Sequence, residues 1–110
     1  MAKETFIVKN AVGGMIYIDT GKSPVDYRLD AQEDGGWLFT IRTKRSAAVE
    51  EILRFRQELN VFVFREEEGR PTVKTWYYVG DGPVEYDEAG GQLTIRAASR
   101  IEYIPDTYLS

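Results

Sequence analysis

The chain has 110 residues, 43% apolar and 29% charged, the usage of one ordinary globular domain. It contains neither cysteine nor histidine. That excludes disulfides, thiolate nucleophiles and Cys-based zinc or iron–sulfur sites, together with any Ser-His, Cys-His or His-metal mechanism within the chain. With 14 basic and 18 acidic residues the net charge is −4, which argues against a large phosphate-binding surface and so against nucleic acid as a partner.

The opening Met1-Ala2-Lys3-Glu4-Thr5-Phe6 lacks the apolar core of a signal peptide, and no apolar run approaches the roughly 20 residues that span a bilayer. The expectation is cytoplasmic synthesis without membrane contact. Most of the chain alternates with period two, the signature of strands. Strands are predicted at Thr5–Lys9, at Met15–Asp19 after a Gly13-Gly14 turn, and at Val25–Asp30, where Val25, Tyr27 and Leu29 share a face. Trp37–Thr43 comes after the turn-rich Asp34-Gly35-Gly36 and puts Trp37, Phe39 and Ile41 together.

The period then changes. From Ser46 to Leu59 the apolar residues Ala48, Ile52, Phe55 and Leu59 recur at helical spacing, with Val49 and Leu53 on the flanks. Ser46 suits an N-cap, Glu50 and Glu51 suit the first turn, Arg54 and Glu58 make an i,i+4 pair, and Asn60 ends the helix. Strands resume at Val61–Phe64, apolar on both faces and so central in a sheet. The acidic turn Glu66–Arg70 leads into Thr72–Val79, with shorter strands at Val84–Tyr86, Gln92–Ala98 and Arg100–Ile104. The fold class is mainly β (α+β): an antiparallel β-sandwich or partly open barrel of about eight strands with one central helix, all in a single domain spanning 1–110.

Two halves of the chain resemble each other. Pro24-Val25-Asp26-Tyr27 reappears as Pro83-Val84-Glu85-Tyr86, and each copy runs on to a Gly-Gly turn. Leu38 then matches Leu93, Thr40-Ile41-Arg42 matches Thr94-Ile95-Arg96, and Arg45 matches Arg100; upstream, Phe6-Ile7-Val8 parallels Phe62-Val63-Phe64. A true duplication predicts two four-strand units, 6–45 and 61–100, about a pseudo-twofold axis. Acidic hairpins with glycine turns produce similar matches without one.

Chemical motifs are incomplete. Thr20-Gly21-Lys22-Ser23 has the end of a phosphate loop, but Ile16 stands where the first glycine belongs and Pro24 where the helix starts, so it reads as a turn. The carboxylates Asp81, Glu85, Asp87 and Glu88, and likewise Asp26, Asp30, Glu33 and Asp34, miss the spacing of a calcium loop. No residue marks a desolvated acid of the glycosidase kind. No catalytic residue, cofactor or metal site is expected. In Trp76-Tyr77-Tyr78, strand alternation puts Trp76 and Tyr78 on one face and Tyr77 on the other. Arg42, Lys44 and Arg45, with Arg96 and Arg100 as candidates to join them, form the one basic cluster and read as a polar rim or an acidic partner's contact.

Gly36-Trp37-Leu38-Phe39-Thr40-Ile41 leading into the helix, Leu93-Thr94-Ile95-Arg96-Ala97-Ala98, and the ending Tyr103-Ile104-Pro105-Asp106-Thr107-Tyr108 give an order of strands, helix and strands closed by an aromatic arm. This order resembles small tail proteins of tailed bacteriophages, the minor-tail and hub-type modules beneath the tail tube. The Cys-rich ending of some hub proteins is missing, so no metallocluster is implied. The resemblance implies a structural subunit without an active site, carried in a virion, that contacts its own copies and other tail proteins. Tyr103, Tyr108 and Leu109, with Arg42, Lys44 and Arg45, are the candidate interface residues. Two other functions fit the composition. One is an acidic inhibitor or immunity-type protein that masks a basic partner with carboxylates such as Glu66, Glu67 and Glu68. The other is a barrel that stacks sugar or single-stranded nucleic acid on an exposed Trp76 or Trp37.

Overall fold

The computed structural model describes residues 3–80 and 83–104. Among them the chain forms β1 (Lys3–Asn10), β2 (Ile16–Asp19), β3 (Asp26–Ala31), β4 (Trp37–Arg42), α1 (Ala47–Arg54), β5 (Leu59–Glu66), β6 (Val73–Tyr78), β7 (Val84–Asp87), β8 (Gln92–Ala97) and β9 (Ser99–Tyr103). Every pairing is antiparallel. The strands build a five-stranded sheet in the order β2-β1-β5-β6-β9 and a four-stranded sheet in the order β3-β4-β8-β7. The architecture is the expected β-sandwich with one helix.

Alternation supplies the interior. Phe6, Val8, Val61, Val63 and Tyr77 from the larger sheet meet Phe39, Ile41, Leu93 and Ile95 from the smaller one, all of them buried. The rings lock the two sheets: Phe6 stacks on Tyr27 at 4.3 Å and lies 5.3 Å from Phe39, whose other neighbour, Tyr77, meets it edge-on at 4.9 Å. Burying one such side chain contributes about 1.5–3 kcal/mol, so this inner layer dominates stability. The sheets meet at a corner where Ala98 N–H donates to the Tyr78 carbonyl, carrying the chain from β8 in one sheet to β9 in the other.

Leaving out β9, the strand order is symmetric, with β2-β1 set against β5-β6 in the larger sheet and β3-β4 against β8-β7 in the smaller. Thr40 and Thr94 are direct partners across β4 and β8, so Thr40-Ile41-Arg42 and Thr94-Ile95-Arg96 run symmetrically away from that point. Two of the sequence matches fall on opposite faces. Phe6 and Val8 point inward where Phe62 and Phe64 point outward, and Leu38 shares its outer row with Asp30 and Arg96 while Leu93 is buried. A one-residue offset reverses the face in a strand, and a text match does not register it.

The helix is shorter than its periodicity predicts. Ser46 Oγ accepts from Val49 N–H as the N-cap, and Val49 and Ile52 are buried, but the helix ends at Arg54 with Phe55 as C-cap. Leu59 and Asn60 belong to β5, where Leu59 begins the inward series Leu59, Val61, Val63. The ladder with β1 claims these residues, and Arg54 and Glu58 therefore do not share a helix. The helix lies against β2 and β7, one edge strand of each sheet. Thr20–Ser23 is a turn, tied to Asp19 by the N–H groups of Gly21, Lys22 and Ser23.

Candidate functional site

The two sheets each present an outer face, and directly paired residues share a face. On the four-stranded sheet the outer rows are Asp26–Arg42–Gln92–Asp87, then Arg28–Thr40–Thr94–Glu85, then Asp30–Leu38–Arg96. Leu38 is the single apolar side chain in these rows. Local partners settle the charges. Arg28 Nε donates to Asp30 at 2.8 Å, and Arg96 reaches Asp34. The Gly36 N–H, and then the Arg96 guanidinium, hold Asp34 below the ordinary carboxylate value. A shallow depression of about 340 Å³ opens here, with Asp26, Arg28, Thr40, Arg42, Gln92 and Thr94 along its walls.

The outer face of the five-stranded sheet is built differently. Its rows are Thr5–Phe64–Lys74–Tyr103, then Ile7–Phe62–Trp76–Ile101, then Lys9–Asn60–Tyr78–Ser99. The middle row is apolar across four strands. Tyr78 and Ile101 are 53% and 56% exposed, and Ile16, beside Lys9 on β2, is 49% exposed. Among the described residues neither the helix nor the second sheet covers this face. The Phe62 and Trp76 rings lie 6.4 Å apart and nearly parallel. Lys74 Nζ sits 4.5 Å from the centre of the Phe62 ring, 5.1 Å from Phe64 and 5.7 Å from Tyr103, while Lys9 Nζ is 5.6 Å from Phe62. The result is an aromatic surface carrying two ammonium groups, on a protein whose net charge is negative.

One atom on this face is out of keeping with simple stability. Trp76 Nε1 is buried and has no hydrogen-bond partner among the described residues. A buried, unpaired donor costs folding free energy that a phenylalanine ring would not incur.

Among the described residues, Tyr103 lies apart from the candidate interface residues Arg42, Lys44 and Arg45. Tyr103 joins the aromatic face through its pairing with Lys74, whereas Tyr108 and Leu109 lie outside the described residues. Arg42 is on the outer face of the other sheet. Arg45 is engaged by Glu50 and lies 5.9 Å from the Tyr86 ring, and Lys44 is exposed next to it. Arg96 and Arg100 do not extend this group, because Arg96 is bound to Asp34 and Arg100 lies over Trp37 at 4.8 Å. The single basic cluster of the sequence is therefore four separate local arrangements. The two tryptophans also separate: Trp37 packs between the sheets against Tyr77, and Trp76 faces outward.

Strand alternation in the sequence puts Trp76 and Tyr78 on one face but does not reach Phe62, Phe64, Ile7 and Lys74. Their signal is the double-sided apolar run Val61–Phe64, a pattern that ordinarily means both faces are covered. β5 is central, yet only its inner face is packed. Elsewhere, burial and the hydrogen bond to Glu4 raise the Tyr27 phenol above its usual range. Among the described residues no group of acidic side chains converges as a metal site. Comparison of the chain with protein-family profiles, with curated proteins and with solved structures gives no match.

Proposed function

We propose that the protein is a non-catalytic assembly module that docks onto another protein through the outer face of its five-stranded sheet. The observation that carries this reading is the contiguous outward-facing apolar row Ile7–Phe62–Trp76–Ile101, half-buried over its first three residues and exposed at Ile101, with exposed Tyr78 and Ile16 beside it. Contiguous apolar patches of this kind on a soluble domain mark interaction sites, and aromatic residues dominate the energetics of such contacts. The indole donor supports it: Trp76 Nε1 is buried without a partner among the described residues, which costs stability that phenylalanine would not. The finer version, a small tail subunit of tailed bacteriophages, rests on the order of strands and helix and names neighbouring tail proteins and other copies as the partners.

A second reading takes the same face as a stacking platform for sugar or single-stranded nucleic acid, favoured by Lys9 and Lys74 among the rings. The negative net charge and the half-buried state of the Trp76 ring weigh against it. Trp37→Phe leaves Trp76 as the sole tryptophan and separates the readings. Titration with oligosaccharides and single-stranded oligonucleotides should leave its fluorescence unchanged, and a saturable quench would transfer the face to a ligand. For the docking reading itself, a partner that co-purifies with the wild-type chain should be lost with Trp76→Glu and kept with Thr40→Glu. Retention by both variants would remove this face from the function.

A further inference from the structure

A sheet edge is an unfinished hydrogen-bonding surface, and proteins ordinarily blunt each one. The sandwich has four edges: β2 and β9 in the larger sheet, β3 and β7 in the smaller. β2 has four residues, an irregular register with β1 at Val8/Lys9, and the helix packed against it. β7 is equally short, is also packed by the helix, and alternates Glu85 and Asp87. β3 is complementary to itself in two registers, about Tyr27 (Arg28 to Asp26) and about Leu29 (Arg28 to Asp30), so its charges select neither, and Arg28 is already paired with Asp30 within the strand.

β9 has neither a helix packed against it nor a break in its register with β6, and its two charges are of opposite sign. Its residues Ser99-Arg100-Ile101-Glu102-Tyr103 are exposed up to Glu102, and among the described residues β6 is its one partner strand. Antiparallel pairing of two β9 strands about Ile101 opposes Ile101 to Ile101 and Arg100 to Glu102, twice over. Moving the axis one residue in either direction would oppose Arg100 to Arg100, or Glu102 to Glu102. The strand is therefore complementary to itself in one register. Neither Arg100 nor Glu102 has an ion pair among the described residues. Arg100 is also held at the edge, with its guanidinium over Trp37 and Nη1 donating to the Tyr77 hydroxyl at 3.3 Å.

We infer that β9 is the site of an isologous dimer, in which a second copy of this chain adds its own β9 antiparallel about Ile101 and joins the two larger sheets into one. Main-chain hydrogen bonds hold the strands, the Arg100–Glu102 pairs set the register, and the row Ile7–Phe62–Trp76–Ile101 continues into its twin across the axis. The inference does not depend on what the aromatic face binds. It doubles the length of that face.

The test is a charge exchange read as native mass by light scattering after size exclusion, using the full chain. The wild type should be a dimer that dissociates on dilution. Glu102→Arg alone and Arg100→Glu alone should each run as monomers at concentrations where the wild type is dimeric, because each opposes like charges at both pairs. Mixing the two single variants should restore a dimer containing one of each, since every opposed pair is then complementary. That rescue also answers the concern that Arg100→Glu disturbs the contact with Trp37, because a misfolded chain would not pair. A wild type that is monomeric at every concentration, a dimer indifferent to both reversals, or no pairing on mixing would each overturn the assignment.

Discussion

The outer faces of the two sheets differ although their inner faces are made alike. Inside, both sheets alternate apolar residues into one core, and Phe6, Phe39 and Tyr77 pack as a single ring cluster. Outside, the four-stranded sheet carries charges and threonines, several satisfied locally, as in Arg28–Asp30 and Arg96–Asp34. The five-stranded sheet carries Ile7, Phe62, Phe64, Trp76, Tyr78 and Ile101 on the corresponding surface. Folding requires only the inner faces. A half-solvated antiparallel sheet reaches its minimum with a polar exterior, as the smaller sheet shows. The apolar exterior of the larger sheet exceeds what a half-solvated sheet needs, and the docking role is proposed to account for that excess.

Substitutions can break that comparison or sharpen it. The largest effect should come from the shared interior. Phe39→Ala removes the ring between Phe6 and Tyr77 and should cost about 3–5 kcal/mol in urea unfolding. A loss below about 1 kcal/mol would mean that the inner layer is not the seat of stability. Next, the two exteriors should respond unequally. Trp76→Ala should cost about 1–2 kcal/mol through its lost contact with Phe62, against about 0.5 kcal/mol or less for Thr40→Ala. Trp76→Phe should fall within about 0.5 kcal/mol of wild type, because the unpaired donor leaves along with the lost ring area. If phenylalanine costs as much as alanine, the indole itself is needed for folding, and the case for its functional retention fails.

The smallest effect concerns the charged face alone. The folded-state pKa of Asp34 is depressed by the Gly36 N–H first and by Arg96 after it. A depressed carboxylate contributes stability that is present above the ordinary Asp value and lost as pH falls through the lower folded value. Asp34→Asn should therefore flatten the fall in stability over that acid window and leave the neutral-pH response to Trp76 substitutions unchanged. Asp34 is well exposed, so the change should be slight. An unaltered acid profile would show that the turn to Gly36 does not hold the carboxylate in solution.

Much of the fold is legible in the residues. Period-two runs locate the strands, the Gly35-Gly36 and Gly90-Gly91 turns mark both hairpins of the smaller sheet, and Ser46 caps the helix. Sequence reading fails where two periods compete. Phe55 and Leu59 continue the helical spacing of Ile52, but Leu59 also opens the alternation of β5, and the ladder with β1 prevails. The site is half legible. Alternation separates Tyr77 from Trp76 and Tyr78, whereas the coincidence of Phe62, Trp76 and Ile101 in one row depends on the registers of β5, β6 and β9, which no single segment contains. The basic cluster shows the reverse failure. Arg42, Arg45, Arg96 and Arg100 look like a group along the chain, but the sandwich puts Arg42 and Arg96 in separate rows of one outer face and gives Arg45 to Glu50 and Arg100 to Trp37.

The most direct test of the docking surface is site-specific photocrosslinking in cells that make the protein. A photoreactive side chain placed at Tyr78 samples the aromatic face, and one placed at Thr40 samples the charged face of the same molecule. The account predicts a discrete protein adduct from position 78 that disappears with Trp76→Glu, and none from position 40. Adducts from position 40 alone, or an adduct at position 78 made of nucleic acid, would contradict it.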